Sequence, residues 1–190
     1  MLIIFPNNGI FSAKQAKLTG MSYMRLSRLA KSGKLQRMAR GVYESVDKFD
    51  DLLCIEQLRR PRIVYSHDTA LYLHDLIDRD PSNFSVTVPT GYNTKGLRNE
   101  GFKVFSLKSD LYESDILQLP TKYDHLVNVY TAERTIVDCV RSRNRMCREI
   151  LTNALKWYAM SRNRNLPQLM RIAKQFGVAN LMSTYMEVLA

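Results

Sequence analysis

Over the first 45 residues the hydrophobic positions switch from helical to strand spacing, and glycines stand at the switch points. Ser12 carries a hydroxyl that can accept hydrogen bonds from the free amides of the next turn, so a helix is predicted over Ala13–Leu18, ended by Gly20. Ser22 repeats the device for a second helix running to about Ser32 and closing at Gly33. Within that helix Leu26, Leu29 and Ala30 fall at i, i+3 and i+4 and turn to a core. Met24, Arg28 and Lys31 then point outward with Ser22, Arg25 and Ser27 beside them, and Tyr23 lies near the buried edge. After Gly33, residues 35–38 and 41–43 read as short strands joined by Ala39 and Arg40. Two helices, a glycine turn and a hairpin predict a winged helix-turn-helix, in which the second helix enters a DNA groove and Arg37 and Arg40 on the hairpin suit phosphates or the minor groove.

Beyond residue 46 the pattern is mixed. Residues 47–60 read as a helix, with Asp47, Asp50 and Asp51 at its start, Leu52, Ile55 and Leu58 as the apolar stripe, and Arg59 and Arg60 at its end, until Pro61 stops it. Ser66 caps a predicted helix over 67–76. Residues 84–88, 102–107 and 126–129 alternate as strands, and 90–101 is loop or a short helical turn. From Thr131, a predicted N-cap, helices follow over 132–140, 147–160, 167–176 and 178–189. The order gives an α+β chain of two domains: residues 1–46 as a winged helix-turn-helix, and residues 47–190 as a larger domain with a connecting helix at 47–61, a small β-sheet and a C-terminal helical cluster.

Charge sharpens this picture. Residues 1–45 hold eight lysines or arginines against Glu44 alone, a net of +7 in a chain whose total is +10. Residues 46–140 are net −4 and residues 141–174 net +8, so two basic regions flank an acidic middle. Arg141, Arg145, Arg148 and Lys156 form a second basic patch, which reads equally as a solvated face or as a surface for phosphates or an acidic partner. The longest apolar stretch, 2–5, is far short of the roughly 20 residues that span a bilayer, and the start lacks the marks of a secretory signal, so a cytoplasmic protein is expected. Cys54, Cys139 and Cys147 match neither a disulfide set nor a zinc pattern and are expected as free, buried thiols.

Other constellations carry less chemistry. Gly91 and Gly96 have phosphate-loop spacing, but Leu97 and Arg98 follow where lysine and serine or threonine are needed. His67, Asp68 and His74 share one predicted helix, and an RNA- or nucleotide-handling enzyme would need them to converge with Asp138 or His125 on a cleft. A capping and core role is the alternative; no cofactor and no metal is expected, and catalysis is not favoured. A protein-interaction module with incidental charge is a third reading.

Three segments together resemble a known group: the helix-turn-helix ending in Leu35-Gln-Arg-Met-Ala-Arg-Gly-Val-Tyr, the run Tyr65-Ser-His-Asp-Thr-Ala-Leu-Tyr-Leu-His-Asp-Leu, and the strand 84–89 after Asp78-Arg-Asp-Pro, with Thr131-Ala-Glu-Arg-Thr-Ile-Val-Asp further on. The chain resembles the AbiE-type abortive-infection antitoxins, transcriptional regulators of bacterial type IV toxin–antitoxin systems. The resemblance implies an N-terminal winged helix that represses its own promoter at inverted repeats, and a C-terminal domain that opposes a nucleotidyltransferase-like toxin without a stable complex. Only eight residues precede Gly9, so the usual first helix is expected to be short or replaced. A monomer in solution that pairs on the duplex is the expected state.

Overall fold

The computed structural model describes residues 9–46 and 50–189, and the predicted helix start at Asp47 lies outside the described residues. The fold is mixed α+β. By Cα packing it divides into one unit holding the described residues up to Ile63 together with Gln118–Val127, and a second holding Val64–Leu117 and the chain from Asn128 on.

The first unit begins with a strand the sequence reading missed, β1 (Ile10–Ser12), followed by α1 (Ala13–Leu18), α2 (Tyr23–Lys31), the hairpin strands β2 (Leu35–Ala39) and β3 (Val42–Ser45), and α3 (Leu52–Arg59). Ser12 and Gln15 form a capping box: the Gln15 amide donates to Ser12 Oγ (3.2 Å) and the Ser12 amide to Gln15 Oε1 (2.8 Å). Gly20 follows α1 at φ +80°, a left-handed conformation that a β-carbon strains, and so lets the chain reverse into α2. β3 is the central strand, paired antiparallel with β1 and β2, and alternation sends neighbouring side chains to opposite faces. Phe11 packs with Ala13, Ala16, Met21, Leu26 and Leu35 under α1 and α2, whereas Ile10 packs with Val42, Cys54 and Ile55 under α3. The sheet is thus covered on both faces. In α3 it is Cys54, Ile55 and Gln57 that are buried, and Leu52, expected on the stripe, is 57% exposed. The unit is completed by a buried network in which Asp51 Oδ1 caps Cys54 N (3.2 Å) while its Oδ2 meets His125 Nδ1 (2.8 Å) and accepts from Thr121 Oγ1 (2.5 Å).

A five-stranded sheet has the order β6-β5-β4-β8-β7: β4 (Val64–Tyr65), β5 (Ser85–Pro89) and β6 (Lys103–Leu107) belong to the second unit, and of β7 (Ile116–Pro120) and β8 (Leu126–Tyr130) residues 118–120 and 126–127 are counted in the first. β5 runs parallel to β6 and β4 parallel to β8, while β4 and β5 are antiparallel. Every residue of β5 is buried, as strands flanked on both sides are. α4 (His67–Leu73) is three residues shorter than predicted, and Ser66 makes no side-chain cap: its Oγ instead accepts from Thr87 Oγ1 (2.9 Å) and meets His67 Nδ1 (3.1 Å). Two five-residue helices, α5 (Lys95–Asn99) and α6 (Ser109–Glu113), follow. The remaining helices are α7 (Ala132–Arg141), α8 (Arg148–Met160), α9 (Leu166–Gln175) and α10 (Ala179–Leu189), and with α4 they enclose a core of Leu71, Ile136, Val137, Leu155, Ile172 and Met182 among others. Thr131 caps α7 as predicted, its Oγ1 accepting from Arg134 N at 3.3 Å. Cys54 and Cys139 are buried thiols, but Cys147, expected to be buried, is exposed because it stands at the N-cap of α8 rather than inside it.

Candidate nucleic-acid interface

The face of interest lies on α2 and the β2–β3 hairpin. Ser22 Oγ accepts from the Arg25 amide (3.2 Å), fixing where α2 begins. Leu26 is fully buried and Leu29 and Ala30 partly so, and this seam sets the helix's rotation about its own axis. Ser22, Met24, Arg25, Ser27, Arg28 and Lys31 are all exposed as a result, Met24 at 71%. On the hairpin Arg37 and Arg40 are exposed beside a register irregularity between Arg37 and Ala39, and Arg37 Nε donates to Ala39 O at 3.4 Å. Gly41, at φ +77°, makes the turn between the strands.

Electrostatics follow from what these cations do not touch. Among the described residues none of Lys14, Lys17, Arg25, Arg28, Lys31, Lys34, Arg37 and Arg40 pairs with a carboxylate. Glu44, the lone acid of this segment, is buried on β3, and burial, then the hydrogen bond its protonated carboxyl donates to Asp50 and the charge of Asp50, push its pKa up to about 7. The exposed surface of α1, α2 and the hairpin is therefore uniformly cationic, able to attract and hold a polyanion. Tyr23, expected at the buried edge, is 63% exposed: it lies three residues before Leu26, but as the first residue of α2 it extends past the seam. Lys17 and Lys34 flank the same helices and were not singled out from sequence. Their signal was the local excess of positive charge.

The second basic patch is less regular than its spacing suggested. Arg145 belongs to a 3-10 turn, Arg143–Arg145, ahead of α8, with its guanidinium 4.8 Å from the Phe105 ring. Arg141 ends α7, 3.8 Å from Asp138 and 5.0 Å from the Phe176 ring. Only Arg148 and Lys156 share α8.

His67, Asp68 and His74 do not converge. The His67 ring is buried, stacks on Phe105 at 3.5 Å and 9°, and meets Ser66 Oγ and Ser142 Oγ, each at 3.1 Å. Burial, then the charges of Arg141, Arg145, Arg134 and Lys103, lower its pKa to about 3. Asp68 pairs with Lys103 (2.6 Å), and His74 Nε2 donates to Tyr130 O (2.7 Å). Asp138 is bound to Arg134 (2.9 Å), and His125 to Asp51. Each candidate is held by a different partner. Among the described residues no group of three or more His, Cys, Asp or Glu is arranged to hold a metal, and no helix is long and apolar enough to cross a membrane.

The first unit of this mixed α+β chain presents two capped helices and a hairpin whose exposed cations are, among the described residues, unpaired with any carboxylate. Residues 2–46 match the sequence model of the family described as "Transcriptional regulator, AbiEi antitoxin", so the likeness seen in the sequence is shown over this N-terminal portion. That match supports a role as an antitoxin transcriptional regulator. No curated protein matches the chain by sequence. Among solved structures, the crystal structure of the RV2827C protein from Mycobacterium tuberculosis is similar, with a TM-score of 0.59 over 94% of this chain and 72% of that one, at 11% identity. At that identity the likeness is one of fold.

Proposed function

We propose that the chain is a DNA-binding transcriptional autorepressor that serves as the antitoxin of a bacterial type IV toxin–antitoxin, or abortive infection, system. Residues 1–46 act as a winged helix-turn-helix with α3 supporting the rear of its sheet. Ser22, Met24, Arg25, Ser27, Arg28 and Lys31 meet the major groove, and Arg37 and Arg40 on the wing meet phosphates or the minor groove. Residues 47–190, with their C-terminal helical cluster, form the domain that opposes a nucleotidyltransferase-like toxin without binding it stably. The protein works in the cytoplasm, is a monomer in solution and pairs on inverted repeats in its own promoter. It has no catalytic role. The observation that carries the reading is the α2 face, where Leu26 is buried while every basic residue of the helix is exposed and, among the described residues, without a carboxylate partner. The matched N-terminal family supports the same conclusion.

The test is a gel shift with the DNA immediately upstream of the gene. Arg28→Ala or Arg25→Ala is expected to lose about 1–3 kcal/mol on the operator where it reads a guanine edge, and little on unrelated duplex. Arg40→Ala weakens both alike, and affinity falls steeply with salt. Binding indifferent to these changes and to salt would overturn the proposal.

A further inference from the structure

A second surface remains after the α2 face is accounted for, and its chemistry differs. α8 is anchored on one side by Leu151, Ala154, Leu155 and Tyr158, all buried. Tyr158 OH donates to Glu133 Oε1 (3.1 Å) and accepts from the Asn165 amide (3.1 Å), which ties the α8–α9 turn to the helix. Arg164 Nη1 donates to Ala159 O (2.6 Å) and closes that turn from the outside. The opposite side of α8 thus stands as a fixed platform, and on it Trp157 is 45% exposed and Met160, one turn on, 80% exposed. Lys156 adjoins Trp157, and Arg162 and Arg164 follow in the turn, whereas Arg148, nine residues before Trp157, lies on the other side of the helix. Between residues 150 and 186 the sequence has five basic residues and no acidic one, and among the described residues neither Lys156 nor Arg162 has a carboxylate partner.

We infer that the Trp157 face of α8 and the turn after it bind single-stranded nucleic acid, RNA in the first instance, with an unstacked base on Trp157 and the backbone along Lys156 and Arg162. Charge complementarity selects a polyanion, since Lys156, Arg162 and Arg164 outnumber Glu149, the exposed acid at the start of α8. A fixed, flat, half-exposed aromatic beside cations is the arrangement on which bases stack without regard to sequence. A second copy docked symmetrically would set like charges together, and an acidic protein partner is the alternative that the polyglutamate titration tests. A duplex keeps its bases stacked and leaves Trp157 without a partner. This inference goes beyond the operator reading and does not rest on it.

Trp157 is the chain's one tryptophan, so its emission reports this face directly. Titrating the full-length protein with a short oligouridylate is expected to quench that emission saturably, and the midpoint should rise about tenfold between about 50 and 200 mM salt. The double variant K156A/R162A keeps the reporter and should bind about tenfold more weakly. With end-labelled RNA, W157A should lose about tenfold in affinity while W157F retains most of it, and W157A should shift the operator as the wild type does. Absence of quenching, wild-type RNA affinity in W157A, or equal quenching by polyglutamate or by duplex DNA overturns the inference. A protein that fails on the operator yet shows salt-dependent RNA quenching would overturn the repressor reading and support this one.

Discussion

Arg134 illustrates how much can depend on one buried charge. Its side chain is wholly excluded from solvent, yet its Nε donates to Asp138 Oδ2 (2.9 Å) and its Nη1 to Leu111 O (3.0 Å) and Ser114 Oγ (3.1 Å). The guanidinium lies 4.2 Å from each of the Tyr130 and Phe176 rings. Burial raises the Asp138 pKa while Arg134 and then Arg141 pull it down, so the carboxylate depends on its cation. Replacing Arg134 with methionine, of similar volume, leaves Asp138 buried without its main partner and is expected to cost about 3–5 kcal/mol. In R134M/D138N the loss should be markedly smaller than in R134M alone. Urea unfolding of the two variants checks this, and R134M within about 1 kcal/mol of wild type would show that the pair is not structural. The sequence places Arg134 and Asp138 one helical turn apart, but nothing local marks them as buried, because Leu111 and Ser114 come from a short helical segment with no periodic signal of its own.

At the scale of elements, legibility followed the range of the interactions that make each one. α1, α2 and the hairpin were readable because serine caps and glycine turns are local devices, and the cationic face was readable because it lies within those elements. β4 was not: two residues have no period, and this strand exists through its pairing with β5 and β8. β1 was missed because Ile10 and Phe11 serve opposite faces of a sheet whose rear cover, α3, comes some 40 residues later. Ser66 looked like a cap, but Thr87 claims its hydroxyl from another strand. If the Ser22 cap sets the start of α2, S22A should lose about 1 kcal/mol and S22G only a few tenths. L26A, which empties the seam beneath the helix, should lose about 2–5 kcal/mol. Amide exchange across α2 measures both, and protection unchanged in L26A would mean that the helix is not held by that seam.

At the scale of the whole molecule, two buried groups give the units opposite responses to pH. Glu44 in the first unit has its carboxyl pushed from an ordinary 4.5 to about 7 by burial, helped by Asp50 and Asp51, the latter already bonded to His125 and Thr121. A folded-state pKa above the unfolded one means that the native state holds its proton longer, so the associated stability is complete below 4.5 and is lost as pH rises to about 7. His67 in the second unit is shifted the other way, from 6.5 to about 3, by burial and then by Arg141, Arg145, Arg134 and Lys103. Its contribution is complete above 6.5 and is lost as pH falls towards 3. Between pH 4.5 and 6.5 the two slopes oppose each other. Glu44→Gln removes one of them, so this variant should gain stability over wild type increasingly as pH rises from 4.5 to 7, and hold a constant advantage above that. Urea unfolding of both proteins across this range is the measurement. Parallel profiles at every pH would mean that Glu44 titrates in the native state as it does in the unfolded chain.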